Sequence, residues 1–254
     1  MKKYLVAFVI ALFPLASFAA GGAGPKLDHM AVDLHNQASL QRGMQVFVNN
    51  CLGCHSAQYQ RYQRAAEDLG MPINLVEENL LLGDQKVGQQ MTNAMLKEDS
   101  ASWFGTPPPD LTLESRLRGP DWLYTYLRSF YKDESRPWGV NNTVFPDVGM
   151  PNVLEYLQGE QINHCSPEEA MHHEAKIDPL TGKSMGGCMS IGTKGQQTVE
   201  EFDKTIYDLV NFMAYIGEPS KLDSHRIGTK VLIFLFLFFF VAYALKKEYW
   251  KDVH

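Results

Sequence analysis

Cysteine is scarce in this 254-residue chain, which has four, at positions 51, 54, 165 and 188. Only one C-x-x-C pair occurs, so no second pair completes a four-cysteine zinc site. Internal repeats and low-complexity linkers are also lacking, which leaves out solenoids and arrays. Positive charge is the minority sign: 23 Lys and Arg face 29 Asp and Glu, for a net charge of −6. Setting aside Lys2, Lys3 and the tail after Leu245, which carries +1, leaves −9 for the remainder. That balance argues against nucleic acid and suits a basic protein partner by electrostatic steering. Long apolar runs are confined to the two ends.

At the N-terminus, Met1-Lys2-Lys3 precedes an apolar stretch from Tyr4 to Phe18, and Ser17-Phe18-Ala19 offers the small residues a signal peptidase reads. Residues 1–19 are therefore expected to be a secretory signal, too short for a spanning helix. At the C-terminus, Val231 to Leu245 is an unbroken run of 15 apolar residues. As a helix it covers roughly 22 Å against a hydrocarbon core of ~30 Å. Extending it back to Ile227 closes most of the gap if Lys230 snorkels to the interface. A membrane anchor over 227–245 is expected. Lys246, Lys247 and Lys251 behind it place residues 246–254 in the cytoplasm and the main domain, 20–226, in the periplasm of a bacterial inner membrane.

Roughly 205 residues lie between signal and anchor, enough for one core with insertions. Gly21 to Pro25 reads as a flexible start and Gly105 to Pro109 as a stiff loop. The stretch at about 159–195 is polar, rich in Gly and His and weakly periodic, and is expected to be a loop insertion. Ser39 to Asn50 reads as a helix with Leu40, Met44, Phe47 and Val48 on one side. Val199 to Ile216 reads as a second, with Phe202, Ile206, Leu209, Phe212 and Met213 spaced for a buried face, ended by Glu218-Pro219. Gly43 and Phe47 stand one turn apart on the first.

Cys51-Leu52-Gly53-Cys54-His55 is the C-x-x-C-H pattern of covalent haem attachment. Two thiols add across the haem vinyl groups, and the adjoining histidine lies under the iron as proximal ligand. Export and the missing second C-x-x-C favour this over a redox disulfide or half a zinc site. One haem c is the expected cofactor.

A sixth ligand decides between electron transfer and small-molecule chemistry. Met150 is singled out by Asn141-Asn142-Thr-Val-Phe-Pro146-Asp-Val-Gly149-Met150-Pro151, where two prolines stiffen the loop and Gly149 permits close approach. Met91, Met95, Met185 and Met189 are the other methionine candidates. His164, His172 and His173 are weaker, lying in a loose polar loop. Cys165 and Cys188 remain after haem attachment, and an even pair in an exported loop suggests a disulfide. Closing about 24 residues would contribute roughly 3 kcal/mol. A metal site using His164, Cys165, His172 or His173 is the alternative.

In order along the chain, these residues resemble the cytochrome c1 family, the haem subunits of the ubiquinol–cytochrome c reductase (cytochrome bc) complex. The resemblance covers nearly all of the mature chain. Cys51 to Ser56 with Tyr59, Arg61 and Tyr62 is similar to the family's start, and Gly105 to Leu111 to its proline-rich loop. Arg116 to Gly119 with Asp121 and Trp122 resembles its propionate-supporting segment. Phe145 to Pro151 resembles its axial-methionine loop, and Asp208 to Pro219 followed by the anchor resembles its ending. The resemblance implies an all-α, class I cytochrome c-like haem domain with loop insertions and one C-terminal transmembrane helix. It implies His55 and Met150 as axial ligands, Pro108 and Pro109 against the haem edge, Arg118 on a propionate and Trp122 on the ring. The implied partners are a cytochrome b subunit, a Rieske iron–sulfur protein and a soluble cytochrome c, within a dimeric complex. Such a chain is an electron relay and no enzyme on its own. The rivals are a haem anchor subunit of another respiratory oxidoreductase and a haem enzyme or sensor with an open iron.

Overall fold

The computed structural model describes residue 25 and residues 27–165, 176–177, 184–185 and 188–251. The signal-peptide segment, His172, His173 and residues 252–254 lie outside the described residues.

Helix α1, Gln37–Asn50, begins where the Asn36 side chain accepts a hydrogen bond from Ser39 N at 3.1 Å. Such a cap satisfies one of the four orphan donors of the first turn. Leu40, Met44, Phe47 and Val48 are buried along one face. Strand β1, Ala57–Arg61, follows, then the short helices α2, Tyr62–Asp68, and α3, Ile73–Asn79. Strand β2, Gln90–Met91, returns to pair antiparallel with β1. Helix α4, Lys97–Phe104, ends on Gly105, whose φ of 79° is the left-handed C-cap that glycine adopts most readily. Then come α5, Glu114–Leu117, and α6, Pro120–Arg128, the latter with proline in its first turn, where a missing N–H costs nothing. Strands β3, Phe130–Lys132, and β4, Val140–Asn142, form a second antiparallel ribbon.

Helix α7, Glu155–Gln158, leads into the expected loop insertion. Its described residues form ribbons instead. Strand β5, Gly159–Asn163, pairs antiparallel with β8, Met189–Lys194, and inside that excursion β6, Lys176–Ile177, pairs with β7, Ser184–Met185. The all-helical expectation is amended accordingly: four two-stranded ribbons accompany the helices among the described residues. Strands β5 and β8 satisfy backbone groups on each other and keep their apolar side chains Ile162 and Ile191 exposed. They therefore leave no apolar alternation in the sequence.

Helix α8, Val199–Gly217, opens with a reciprocal capping box between Thr198 and Glu201. It crosses α1 at Gly43, where a Cβ would collide with the Asp208 backbone oxygen and lie 2.7 Å from Phe212 Cβ. Glycine is thus required for the approach. Phe47 and Phe212 pack beside it with ring centroids 5.7 Å apart. Arg42 forks onto the buried Asp208 at 2.6 and 3.0 Å. The N-terminal segment straps α6: Asp28 N donates to Thr125 Oγ1 at 2.8 Å, and Met30 N to Asp121 Oδ1 at 2.8 Å. Helix α9, Lys221–Tyr249, contains Ile227–Tyr249, 23 residues of mean hydropathy 2.2 with none of the apolar window buried. At ~1.5 Å per residue that is roughly 35 Å, long enough to cross a bilayer.

Candidate haem site

The C-x-x-C-H segment is shaped by the end of α1. Cys51 N donates to Phe47 O at 2.9 Å, closing the helix, and Cys54 N and His55 N both return to Cys51 O at 3.1 and 2.8 Å. This turn leaves both thiols unpaired and on the wall of one cavity. Burial, aided by the neighbouring Cys54, pushes the Cys51 thiol up to about 12.

His55 is held by the proline-rich loop. Its Nδ1–H donates to the Pro109 carbonyl at 2.8 Å, which leaves Nε2 with the free lone pair. Burial lowers its pKa, against the Pro109 hydrogen bond and the nearby Glu114 and Asp110, so the imidazole is neutral at pH 7 as a ligand must be. The loop is pinned to the motif by Leu111 N on Ser56 O at 2.8 Å and Gln58 N on Asp110 Oδ2 at 2.8 Å.

The Met150 loop is organised by two asparagines on β4. Asn141 Oδ1 accepts from Asp147 N at 2.9 Å, and Asn142 Oδ1 accepts from Val144 N and Phe145 N at 2.9 and 3.1 Å. Asp147 has φ of 62°, an uncommon conformation for a non-glycine residue. Arg136 clamps it, donating to its backbone oxygen at 3.0 Å and pairing with its carboxylate at 2.8 Å. A Cβ on Gly149 would sit 3.0 Å from the Phe104 backbone oxygen, so the loop passes close to the end of α4. The Tyr126 hydroxyl lies 3.4 Å from Met150 Sδ.

Cys51, Cys54, His55, Pro108, Pro109, Arg118, Trp122 and Met150 all line the same cavity, of about 380 Å³. The Arg118 guanidinium sits 4.4 Å over the Trp122 ring and 5.6 Å over Phe145, with Nε on Glu114 Oε2 at 3.2 Å. The other methionine candidates with described side chains are elsewhere: Met91 is fully buried in the core, and neither Met95 nor Met189 reaches the cavity. The Met185 side chain lies outside the described residues. His164 donates or accepts with Ser190 Oγ at 2.6 Å, away from the cavity. Cys165 and Cys188 are joined by a disulfide, and no cluster of three His, Cys, Asp or Glu suited to a metal occurs among the described residues.

Sequence reasoning missed Tyr126, Phe104 and Met213 in the wall. The one-turn spacing of Tyr126 from Trp122 on α6 could have found the first. Phe104 and Met213 carry no signal apart from ordinary core residues. The residues present fit a haem c: apolar walls suit a macrocycle, two free thiols suit its vinyl groups, and a neutral imidazole and a thioether suit iron.

The model of the Cytochrome C1 family matches residues 28–253. The chain belongs to the cytochrome c1 family. A cytochrome c1 of Allochromatium vinosum is 49% identical over 100% of both chains. A Nitrosomonas europaea protein described as the gamma subunit of ammonia monooxygenase is 41% identical, over 98% of this chain and 99% of its own. A cytochrome c1 of Rhodospirillum rubrum is 26% identical, over 86% of this chain and 83% of its own. Cytochrome c1 proteins carry one covalently bound haem c and serve as the haem electron-transfer subunit of the cytochrome bc complex. The candidate span in α9 fits a single-pass anchor.

Proposed function

We propose that this chain is a single-haem relay that takes electrons one at a time from a Rieske iron–sulfur protein and delivers them to a soluble cytochrome c. The reading rests on one observation: both thiols of the motif, His55 and Met150 line a single cavity. The bound haem supplies one-electron chemistry, its iron cycling between ferrous and ferric states.

Cys51 and Cys54 would hold the group covalently, and the Pro109 carbonyl fixes the His55 tautomer so that Nε2 would be free to bind its iron. Met150 supplies the thioether. Methionine opposite histidine favours the ferrous state and raises the potential, as a late place in a quinol-oxidising chain requires. Pro108 and Pro109 would exclude water from one edge of the bound group, Trp122 would cover its ring, and Arg118, with Nε on Glu114, would have its remaining N–H groups for a propionate. With residues 1–19 as signal and α9 as anchor, the class I cytochrome c-like domain, 20–226, stands in the periplasm. The last residues are cytoplasmic. Cytochrome b packs its membrane helices beside α9 in a dimeric complex and performs the quinol chemistry. The disulfide staples the 159–195 insertion. Thiol labelling of the unfolded protein with and without reductant checks it, and two labelled thiols without reductant would exclude it.

The test is replacement of Met150 with Leu beside the wild type. The potential is expected to fall by hundreds of millivolts, within the ~0.8 V that axial ligands span, and the reduced iron is expected to bind carbon monoxide. An unchanged potential removes Met150 from the site. Solubilised membranes settle the partners: copurification with a cytochrome b and a Rieske protein supports the relay. Copurification with a monooxygenase instead would favour the role described for the Nitrosomonas relative.

A further inference from the structure

One buried hydroxyl faces the thioether. Tyr126 lies one turn beyond Trp122 on α6 and is 9% exposed. Its ring stacks on Trp122 with centroids 4.8 Å apart at 12°, and meets Phe130 edge-on at 5.1 Å. Its backbone carbonyl is held by Asn142 Nδ2 at 2.8 Å. Ring and backbone are therefore fixed independently of the hydroxyl, and what remains is where the O–H points. Its hydrogen-bond partner is Met150 Sδ at 3.4 Å, a normal reach for the large sulfur atom.

A thioether sulfur is an acceptor only, with two lone pairs. One taken by a hydroxyl proton leaves one for a metal and settles which way that one points. The hydrogen bond also draws electron density from sulfur and makes it a poorer donor. Ferric iron depends on donation more than ferrous iron does, so the bond weakens the ferric state selectively.

We propose that Tyr126 is a positioning residue for the sixth ligand, donating its proton to one lone pair of Met150 so that the other faces iron, and raising the reduction potential by doing so. This rests on the reading of Met150 as that ligand.

The test uses the full-length, haem-loaded membrane protein in three variants: Tyr126→Phe, Tyr126→Leu and Met150→Leu. Each is followed by equilibrium redox titration and by the proton NMR signal of the Met150 methyl group where that residue is present. Tyr126→Phe keeps the stacking and removes only the hydroxyl. It is expected to retain haem, lower the potential and shift the methyl signal, with Tyr126→Leu lowering it at least as far. Site-specific fluorotyrosine at 126, a stronger donor of the same shape, is expected to raise the potential, and supplies the answer if either truncation loses haem. A Tyr126→Phe or fluorotyrosine protein at the wild-type potential with an unmoved methyl signal overturns the inference, since the ring alone would then suffice. If Met150→Leu lowers the potential while Tyr126→Phe does not, this inference falls and the ligand reading stands. If Met150→Leu leaves the potential unchanged, both fall together.

Discussion

Asn142 ties the Met150 loop to helix α6. Its Nδ2 donates to the Tyr126 carbonyl at 2.8 Å, while its Oδ1 accepts the N–H groups of Val144 and Phe145. The side chain is 1% exposed, so water cannot replace these bonds. One amide thus sets both the start of the loop that carries Met150 and the end of the helix that carries Trp122 and Tyr126.

Replacing Asn142 with Ala leaves the buried Val144 N–H and the part-buried Phe145 N–H without this acceptor. Each orphaned buried group costs about 1–3 kcal/mol, so the variant is expected to lose roughly 2–4 kcal/mol in denaturant unfolding. A loosened Met150 loop is also expected to let reduced haem bind carbon monoxide where the wild type does not. Wild-type stability and no carbon monoxide binding would show that the loop holds itself.

Gly43→Ala tests the helix crossing. The added methyl has no flexible neighbour to displace, because the nearest atoms are the Asp208 backbone and Phe212 Cβ. Overpacking of this kind costs typically 1–3 kcal/mol, and more where backbone must move. Thermal unfolding is expected at a lower temperature, with less haem retained because Cys51 caps α1. An unshifted melting curve would mean that α1 and α8 part without loss.

Asp121 gives a pH dependence of known sign. The Met30 N–H hydrogen bond, with His29 adding to it, holds this carboxyl below the usual carboxylate range. A depressed folded pKa contributes stability that is present above the unfolded value of about 3.9 and is lost as pH falls through the folded value. Asp121→Asn is therefore expected to be less stable than wild type at pH 6, with the gap closing below pH 4. Denaturant midpoints measured between pH 6 and 3 check it, and a gap independent of pH would assign the effect to shape.

Much of the site is legible in the residues because covalent haem attachment needs contiguous chemistry. Two thiols and a histidine within Cys51 to His55 announce themselves in any fold. The two core helices are equally plain, since their buried faces repeat at helical spacing and Gly43 has a steric reason to be glycine. The ribbon excursion is different. Strands β5 and β8 bond to each other across the insertion, and Ile162 and Ile191 stay exposed on them, so no alternation marks them.

Sequence by itself determined the attachment motif, the histidine beside it, the long apolar C-terminal run and the pair of crossing helices, because each is a local pattern or a composition. Only tertiary structure brought Met150, which its loop context singles out, to the wall of one cavity with His55, because the two are nearly a hundred residues apart in the chain. It also decided what touches that methionine. Tyr126 reads as one more aromatic on an amphipathic helix, and only packing α6 against the loop from Asn142 to Pro151 brings its hydroxyl to the sulfur.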